Sequence, residues 1–490
     1  MVSGNRSGPN ILLVVADTAR ADDAYATNPS IMPTLQTFSQ IGTRFDAAFA
    51  SAPWTLPSHA GLFTGTYSSK HGAHGDHPFL DDTVRTLAEG MAATGYETFA
   101  ASNNTWISGE FGFNRGFETF WKGWQLIQSH DDVGAIVHEL GPLRRAQAAL
   151  TGLQDGNPFV NAVNALYNQF SRSRQDYGAT RTTDRVASWL DERPTDRPFF
   201  AFINYLEPHI RYQPPRAFAE PFLPADATYA EARAVRQSPR AYDVGEYELS
   251  THELAMLRGL YCGELAYVDE QLRRLRSILE ATGEWEDTIV IVAGDHGENI
   301  GDHGFLGHQY NLYDTLLHVP LVVTGGPFEG GGRRDDLVQL TDIVPTLIDV
   351  TGMEDSELIT QAQGTSFHPD ATSQRSHIIA EYMAPQPPIE TLNARFGDLP
   401  TRVTAFDRRL RTIRTADEKL IRGSDGHLEY YNLHRDPTEG TDRTNIATDR
   451  VSTLSSHLDD WLASFEQTTA TGDVQMSKQT EQRLTDLGYL

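Results

Sequence analysis

The chain has 490 residues, and its 66 acidic side chains against 40 basic ones leave a net charge of −26, which argues against nucleic acid as a partner because binding it needs a basic footprint. One cysteine, Cys262, excludes an intrachain disulfide and a thiolate-rich metal site. The lysines are only four, Lys70, Lys122, Lys419 and Lys478, and so acidic a composition points to a salt-adapted surface kept hydrated by dense charge.

The first apolar run, Ile11-Leu12-Leu13-Val14-Val15-Ala16, stops at Asp17. It suits a buried strand and falls far short of the ~20 apolar residues of a membrane span. No charged leader with a long apolar core precedes it, so a cytoplasmic protein without a membrane span is expected. Thr55-Leu56-Pro57-Ser58 reads as a helix start, with Pro57 suited to the first turn. Thr55 then sits at a helix N-terminus, where backbone N–H groups favour an anionic centre. His74 and His77 read as solvated loop histidines. Residues 125–196 are helical and locally polar in pattern, as in 160–170 and 180–190.

A second apolar run, Phe199-Phe200-Ala201-Phe202-Ile203, leads to Glu207-Pro208-His209. Residues 217–247 are rich in Pro, Ala and Glu and read as a surface loop or lid. Residues 257–275 are helical, with Leu260, Leu265, Val268 and Leu272 apolar and Cys262 as a small buried hydrophobe. The run Thr288-Ile289-Val290-Ile291-Val292-Ala293 stops at Gly294-Asp295-His296, and Leu321-Val322-Val323 ends at Thr324-Gly325-Gly326. Such runs, separated by helices, indicate buried parallel strands of an α/β domain. Functional groups in these sheets gather at the carboxyl ends of strands, where Asp17 and Asp295 both fall. Strand-like segments at 411–414, 420–422 and 429–433 and a helix at 451–465 form a C-terminal unit. The division is an α/β catalytic domain over 1–370, with a lid or insertion about 125–250, and a C-terminal subdomain over 371–490.

Displacement at phosphorus or sulfur needs a nucleophile, a Lewis acid and charge stabilisation. Asp17 and Asp295 are hard anionic ligands and His296 adds an imidazole nitrogen. With the Thr55 oxygen they make a four-ligand set for one divalent ion, which would lower the pKa of the threonine hydroxyl. In isolation either aspartate could equally be a turn residue.

The stretch Thr55-Leu56-Pro57-Ser58-His59-Ala60-Gly61-Leu62-Phe63-Thr64-Gly65 resembles the active-site signature of sulfatases: Cys or Ser, any residue, Pro, Ser, Arg, then Ala and an apolar run into Thr-Gly. Residues 10–20 look like the family's first strand, with Asp17 as its metal ligand, and His71-Gly72 lies at the usual distance. Leu206-Glu207-Pro208-His209 is similar to the segment carrying a substrate-facing histidine. Asp295-His296-Gly297-Glu298, Gly301-Asp302-His303-Gly304 and Leu312-Tyr313-Asp314 match the second metal strand and its loop. Tyr431-Asn432-Leu433 with Asp436-Pro437 and Glu439 resembles the C-terminal hairpin, and Leu484-Thr485-Asp486-Leu487-Gly488-Tyr489-Leu490 is typical of the family's end. The chain is therefore identified as a member of the sulfatase family of the alkaline-phosphatase superfamily. That resemblance implies a mixed, mostly parallel sheet flanked by helices, with a smaller C-terminal α+β subdomain. It assigns Asp17, Thr55, Asp295 and His296 to the metal and Thr55, His209, His308 and His59 to catalysis. Glu298 and His303 would support them, Arg20 would orient its loop by pairing with a carboxylate, and Ser58 and Thr64 would be helix contacts.

Four positions depart from a sulfatase. Thr55 stands where the formylglycine precursor belongs, and its β-methyl bars oxidation to that aldehyde. Thr18 replaces a second metal-binding aspartate, His296 an asparagine, and His59 an arginine; a lysine usually occupies a place near His308. Losing an oxygen ligand and gaining an imidazole favours manganese or zinc over calcium or magnesium. The expected enzyme is a metal-dependent hydrolase of small anionic esters (phosphodiester, phosphonate or phosphate monoester). The alternatives are a sulfuric ester hydrolase, a headgroup phosphotransferase and a decayed anion-binding protein. The sequence carries no signal of oligomeric state.

Overall fold

A computed structural model describes residues 8–125, 128, 177–468, 480, 483 and 484. Its centre is β1 (Asn10–Ala16), in which every residue is buried. Leu13 and Val15 enter one core while Leu12 and Val14 enter the other, so the unbroken apolar run of the sequence reflects a strand covered on both faces. Seven strands complete the sheet: β2 (Thr43–Phe45), β3 (Glu97–Ser102), β4 (Thr119–Lys122), β5 (Phe199–Tyr205), β6 (Thr288–Gly294), β7 (Leu321–Thr324) and β8 (Gly332–Arg334). The strand order is β8-β2-β7-β6-β1-β5-β3-β4.

β1 runs parallel to β5 and β6, and β3 is parallel to β5 and β4. β7 departs from the parallel arrangement expected of it: it is antiparallel to both β6 and β2. A short apolar run buried on both faces reads the same in either direction, so its pattern carries no sign of orientation. In the register of the central pairs, Ala16 lies opposite Gly294 on one side and Tyr205 on the other. Asp17 and Asp295 therefore leave adjacent strands at the same edge of the sheet.

Helix α1 (Thr55–Thr64) is buried at every residue and packs on the sheet through Phe63 and Phe202, whose rings lie 4.8 Å apart. It ends at Gly65, whose φ of 69° is the left-handed cap that favours glycine. The opposite face carries α2 (Ala179–Glu192) and the long α4 (Thr251–Thr282), which opens with a Ser250–Glu253 capping box. Cys262 lies buried on α4, and burial pushes its thiol up to about 12, so it is an inert core residue as expected.

The segment expected as a loop or lid holds short helices, among them Tyr229–Ala234 and α3 (Pro239–Asp243), and it buries Arg240 and Asp243. A second, antiparallel sheet joins β9 (Ile378–Tyr382), β10 (Leu410–Arg414), β11 (Glu418–Gly423) and β12 (Leu428–Asn432) in sequential order, with α5 (Thr448–Ala463) against it. The helical pattern at 160–170 and all but Leu484 of the terminal motif lie outside the described residues. Among those residues no helix is long and apolar enough to cross a membrane.

Candidate active site

Three ligand-bearing side chains converge at the sheet edge. Donor atoms of Asp17, Asp295 and His296 all lie within 4.8 Å of one another, the one such cluster among the described residues. His296 Nε2 is 3.8 Å from Asp17 Oδ1 and 3.4 Å from Asp295 Oδ2. The Thr55 hydroxyl joins them, 3.3 Å from His296 Nε2, brought there as the first residue of α1.

Hydrogen bonds leave one face of each ligand open. Asp295 Oδ1 accepts the backbone N–H groups of Thr18 (3.0 Å) and His296 (2.9 Å), whereas its Oδ2 has no hydrogen-bond partner. Asp17 Oδ2 accepts from Asn104 Nδ2 at 2.5 Å, and its Oδ1 has none. His296 Nδ1 lies 2.9 Å from the Gly297 carbonyl, which can only accept, so Nδ1 carries the proton and Nε2 presents its lone pair to the cluster. Burial, followed by the Asp295 charge, raises the Asp17 carboxyl well above its ordinary value, and burial pushes Asp295 up to about 6. Two buried carboxylates with orphaned oxygens beside a neutral imidazole suit a divalent cation, which compensates both charges and fills the open lone pairs.

Thr18 occupies the place of a further acidic ligand, yet it acts through its backbone. It holds φ of 64°, its N–H is turned onto Asp295, and its carbonyl accepts from the Tyr261 hydroxyl at 2.9 Å. That left-handed conformation costs a non-glycine residue about 1–3 kcal/mol and persists because Tyr261 and Asp295 hold it from both sides.

The histidines fall into two groups. His59 is buried one turn into α1, with Nδ1 2.9 Å from the Thr55 carbonyl and 3.4 Å from Asp295 Oδ2. It braces the first helical turn and lies against the Asp295 carboxylate. His209 and His308 lie beside the cluster on loops; the His308 ring is 4.6 Å from that of His296 and 4.9 Å from that of His209. Burial pushes His209 down to about 3, His296 to about 4 and His308 well below its ordinary value, so these imidazoles are uncharged. Glu298 orients this side: one carboxylate oxygen accepts from His308 Nδ1 at 2.8 Å, and the other accepts the Ile210 N–H at 3.2 Å. His303 lies further out, its ring stacked on Tyr313 at 3.8 Å. Arg20 pairs with Asp302 at 2.8 Å, as expected, and donates to the Glu298 carbonyl at 3.1 Å. Thr64 donates back to Ala60 within the helix at 2.7 Å, whereas Ser58 donates out of it, to the Asp295 carbonyl at 2.6 Å. His77 is buried, not solvated, and its Nε2 faces Asp81 at 3.2 Å.

Sequence reasoning missed Asn104, which follows β3 and reaches both Asp17 and Thr55. A paired asparagine, Asn103-Asn104, after the apolar residues of β3 is the same strand-end signal that picked out Asp17. It also missed Arg240 and Gln309: Arg240 Nη1 donates to Gln309 Oε1 at 2.5 Å, and that oxygen accepts the His308 N–H at 3.2 Å.

A sequence model described as Sulfatase matches residues 9–353. The multifunctional alkaline phosphatase superfamily protein PehA of Trinickia caryophylli is 24% identical over 407 residues, covering 70% of this chain and 74% of that protein. Arylsulfatase K of Bos taurus is 23% identical over 483 residues, covering 93% and 81%. Among solved structures, the phosphonate monoester hydrolase of Agrobacterium radiobacter superposes with a TM-score of 0.64 at 20% identity, covering 93% of this chain and 95% of that one, a likeness of fold.

Proposed function

The chain belongs to the sulfatase family and is an ester hydrolase, and from that premise we propose that it cleaves phosphorus esters with Thr55 as nucleophile. Its substrates on this reading are phosphodiesters, phosphonates or phosphate monoesters. The observation that carries it is a hydroxyl at the first position of α1, set among Asp17, Asp295 and His296, on a residue that cannot become an aldehyde.

Asp17, Thr55, Asp295 and His296 would hold one divalent ion, manganese or zinc ahead of calcium or magnesium, and that ion supplies charge neutralisation and an acidified Thr55 hydroxyl. Thr55 opens the first turn of α1, where the positive end of the helix dipole would favour the anionic group of the ester. His59 keeps that turn in register with Asp295. His209 and His308, held through Glu298, would flank the ester as uncharged imidazoles. The choice of phosphorus follows from the nucleophile. A formylglycine hydrate expels sulfate through its second hydroxyl, an exit that threonine lacks, whereas a threonine phosphate hydrolyses directly at phosphorus.

The test is a side-by-side assay of aryl sulfate, phosphate monoester, phosphodiester and phosphonate with manganese, zinc, magnesium or calcium in high salt. Phosphodiester or phosphonate should lead, Thr55→Ala should be inactive, and Thr55→Ser should keep substantial activity. Faster turnover of aryl sulfate than of every phosphorus ester overturns the reading. High salt belongs to the same proposal: screening of the −26 charge should raise the melting temperature between low and molar potassium chloride, and a flat response removes the salt-adapted surface.

A further inference from the structure

Asn104 is fully buried between the nucleophile and a metal ligand, and its amide has a fixed direction. Oδ1 accepts the Trp106 N–H at 3.0 Å, so that oxygen is committed to its own loop. Nδ2 is thereby turned inward, 2.5 Å from Asp17 Oδ2 and 3.4 Å from Thr55 Oγ1. The backbone is fixed as well. Asn104 N–H donates to Asn204 Oδ1 on the neighbouring strand β5 at 3.2 Å and to the Ser102 hydroxyl at 3.2 Å. Rotation of the amide would set its oxygen against the Asp17 carboxylate and its NH₂ against the Trp106 N–H, two repulsive contacts at a fully buried side chain.

We propose that Asn104 is a catalytic hydrogen-bond donor to the Thr55 oxygen, a role that rests on the nucleophile assignment above. In the first step the Oγ–phosphorus bond forms and the bond to the leaving oxygen breaks. The threonine proton is released and the departing alcohol gains one. In the second step water forms a new oxygen–phosphorus bond, the phosphorus–Oγ bond breaks with its electron pair returning to Oγ, and water supplies the proton that restores the hydroxyl. Negative charge sits on Oγ before the first step and returns to it in the second. A neutral amide transfers no proton, but a donor already aimed at that oxygen stabilises the charge with no reorganisation at the moment of reaction. Its second contact, to Asp17, keeps the ligand and the nucleophile in one geometry.

Asn104→Ala and Asn104→Asp separate this role from a structural one. Asn104→Asp keeps the acceptor for Trp106 but sets a second oxygen against Asp17, so its metal Kd is read beside its kcat, and a loss that remains at saturating metal still reports the missing donor even if the alanine variant fails to fold. Calorimetry with zinc or manganese alone reads metal affinity, turnover of an aryl phosphonate at saturating metal reads kcat, and mass spectrometry of quenched wild type reads label on Thr55. The expected result is a kcat lower by about 10²–10³-fold in both variants, with the metal Kd of Asn104→Ala within about tenfold of wild type. A kcat within threefold of wild type, or a loss that vanishes once metal saturates, overturns the proposal while Thr55 labelling stands. Absence of label in wild type together with an active Thr55→Ala variant removes the nucleophile reading itself.

Discussion

Asp17, Asp295 and His296 leave the ends of two hydrogen-bonded neighbouring strands, whereas His209 and His308 sit on loops beyond the sheet and owe their places to side chains from elsewhere. The strand-end side is fixed by the β1–β6 ladder, in which Ala16 opposite Gly294 sets the separation of the two carboxylates. The histidine side is clamped from three directions. Glu298 holds His308 and the Ile210 backbone; Arg240 and Asp243 of α3 reach Gln309 and the Leu306 N–H; and Asp314, just past the loop, is tied to the second sheet. One side is set by backbone pairing and gathers two carboxylates with an imidazole, the other is set by side-chain contacts and presents uncharged imidazoles. On the reading proposed above, metal binding and leaving-group chemistry would be separable by substitution.

The largest effect is expected on the strand-end side. Asp295→Ala should lower bound metal from about one ion per chain to none and take activity to background, since it removes an orphaned ligand oxygen and the acceptor for Thr18 and His296. Metal analysis checks it, and full occupancy in the variant would show the ligand assignment to be wrong.

Next comes Lys419, wholly buried on β11, whose ammonium pairs with Asp314 at 2.7 Å and Glu439 at 2.6 Å. Burial alone would raise Asp314, yet Lys419 and Arg414 hold it well below its ordinary value. Lys419→Met strands those carboxylates and should cost about 3–5 kcal/mol in denaturant unfolding. Protein that remains folded should keep its metal affinity, because the β1–β6 ladder is untouched. An equal loss of metal affinity would merge the two sides.

Glu298→Gln should lower kcat about 10–100-fold with bound metal unchanged, because it weakens the carboxylate that orients His308 without touching a ligand. Activity at the wild-type level would exclude His308 from the reaction. The smallest effect concerns Asp243, whose carboxyl burial pushes from 3.8 to about 7 against the pull of Arg240. Between those values the folded chain holds a proton there that the unfolded chain has released, so this group's contribution to stability falls as pH rises through the window. Wild type should therefore lose stability relative to Asp243→Asn from pH 4 to 7 and run parallel above it. Parallel curves throughout would detach α3 from the histidine side.

The side chains of the candidate metal cluster, the strand ends and the helix beginning at Thr55 were legible in the sequence because each depends on local pattern. An apolar run that stops at an aspartate marks a buried strand and what it delivers, and a proline in the first turn marks a helix start. Pattern does not fix how those strands align. The parallel register of β1 and β6, the antiparallel course of β7, the arrival of Asn104 between Asp17 and Thr55, and the burial of Arg240 and Lys419 were decided by tertiary structure. Each depends on partners outside its own element, and a buried strand's hydrogen bonds, unlike its hydrophobicity, are completed only by the neighbour that packs against it.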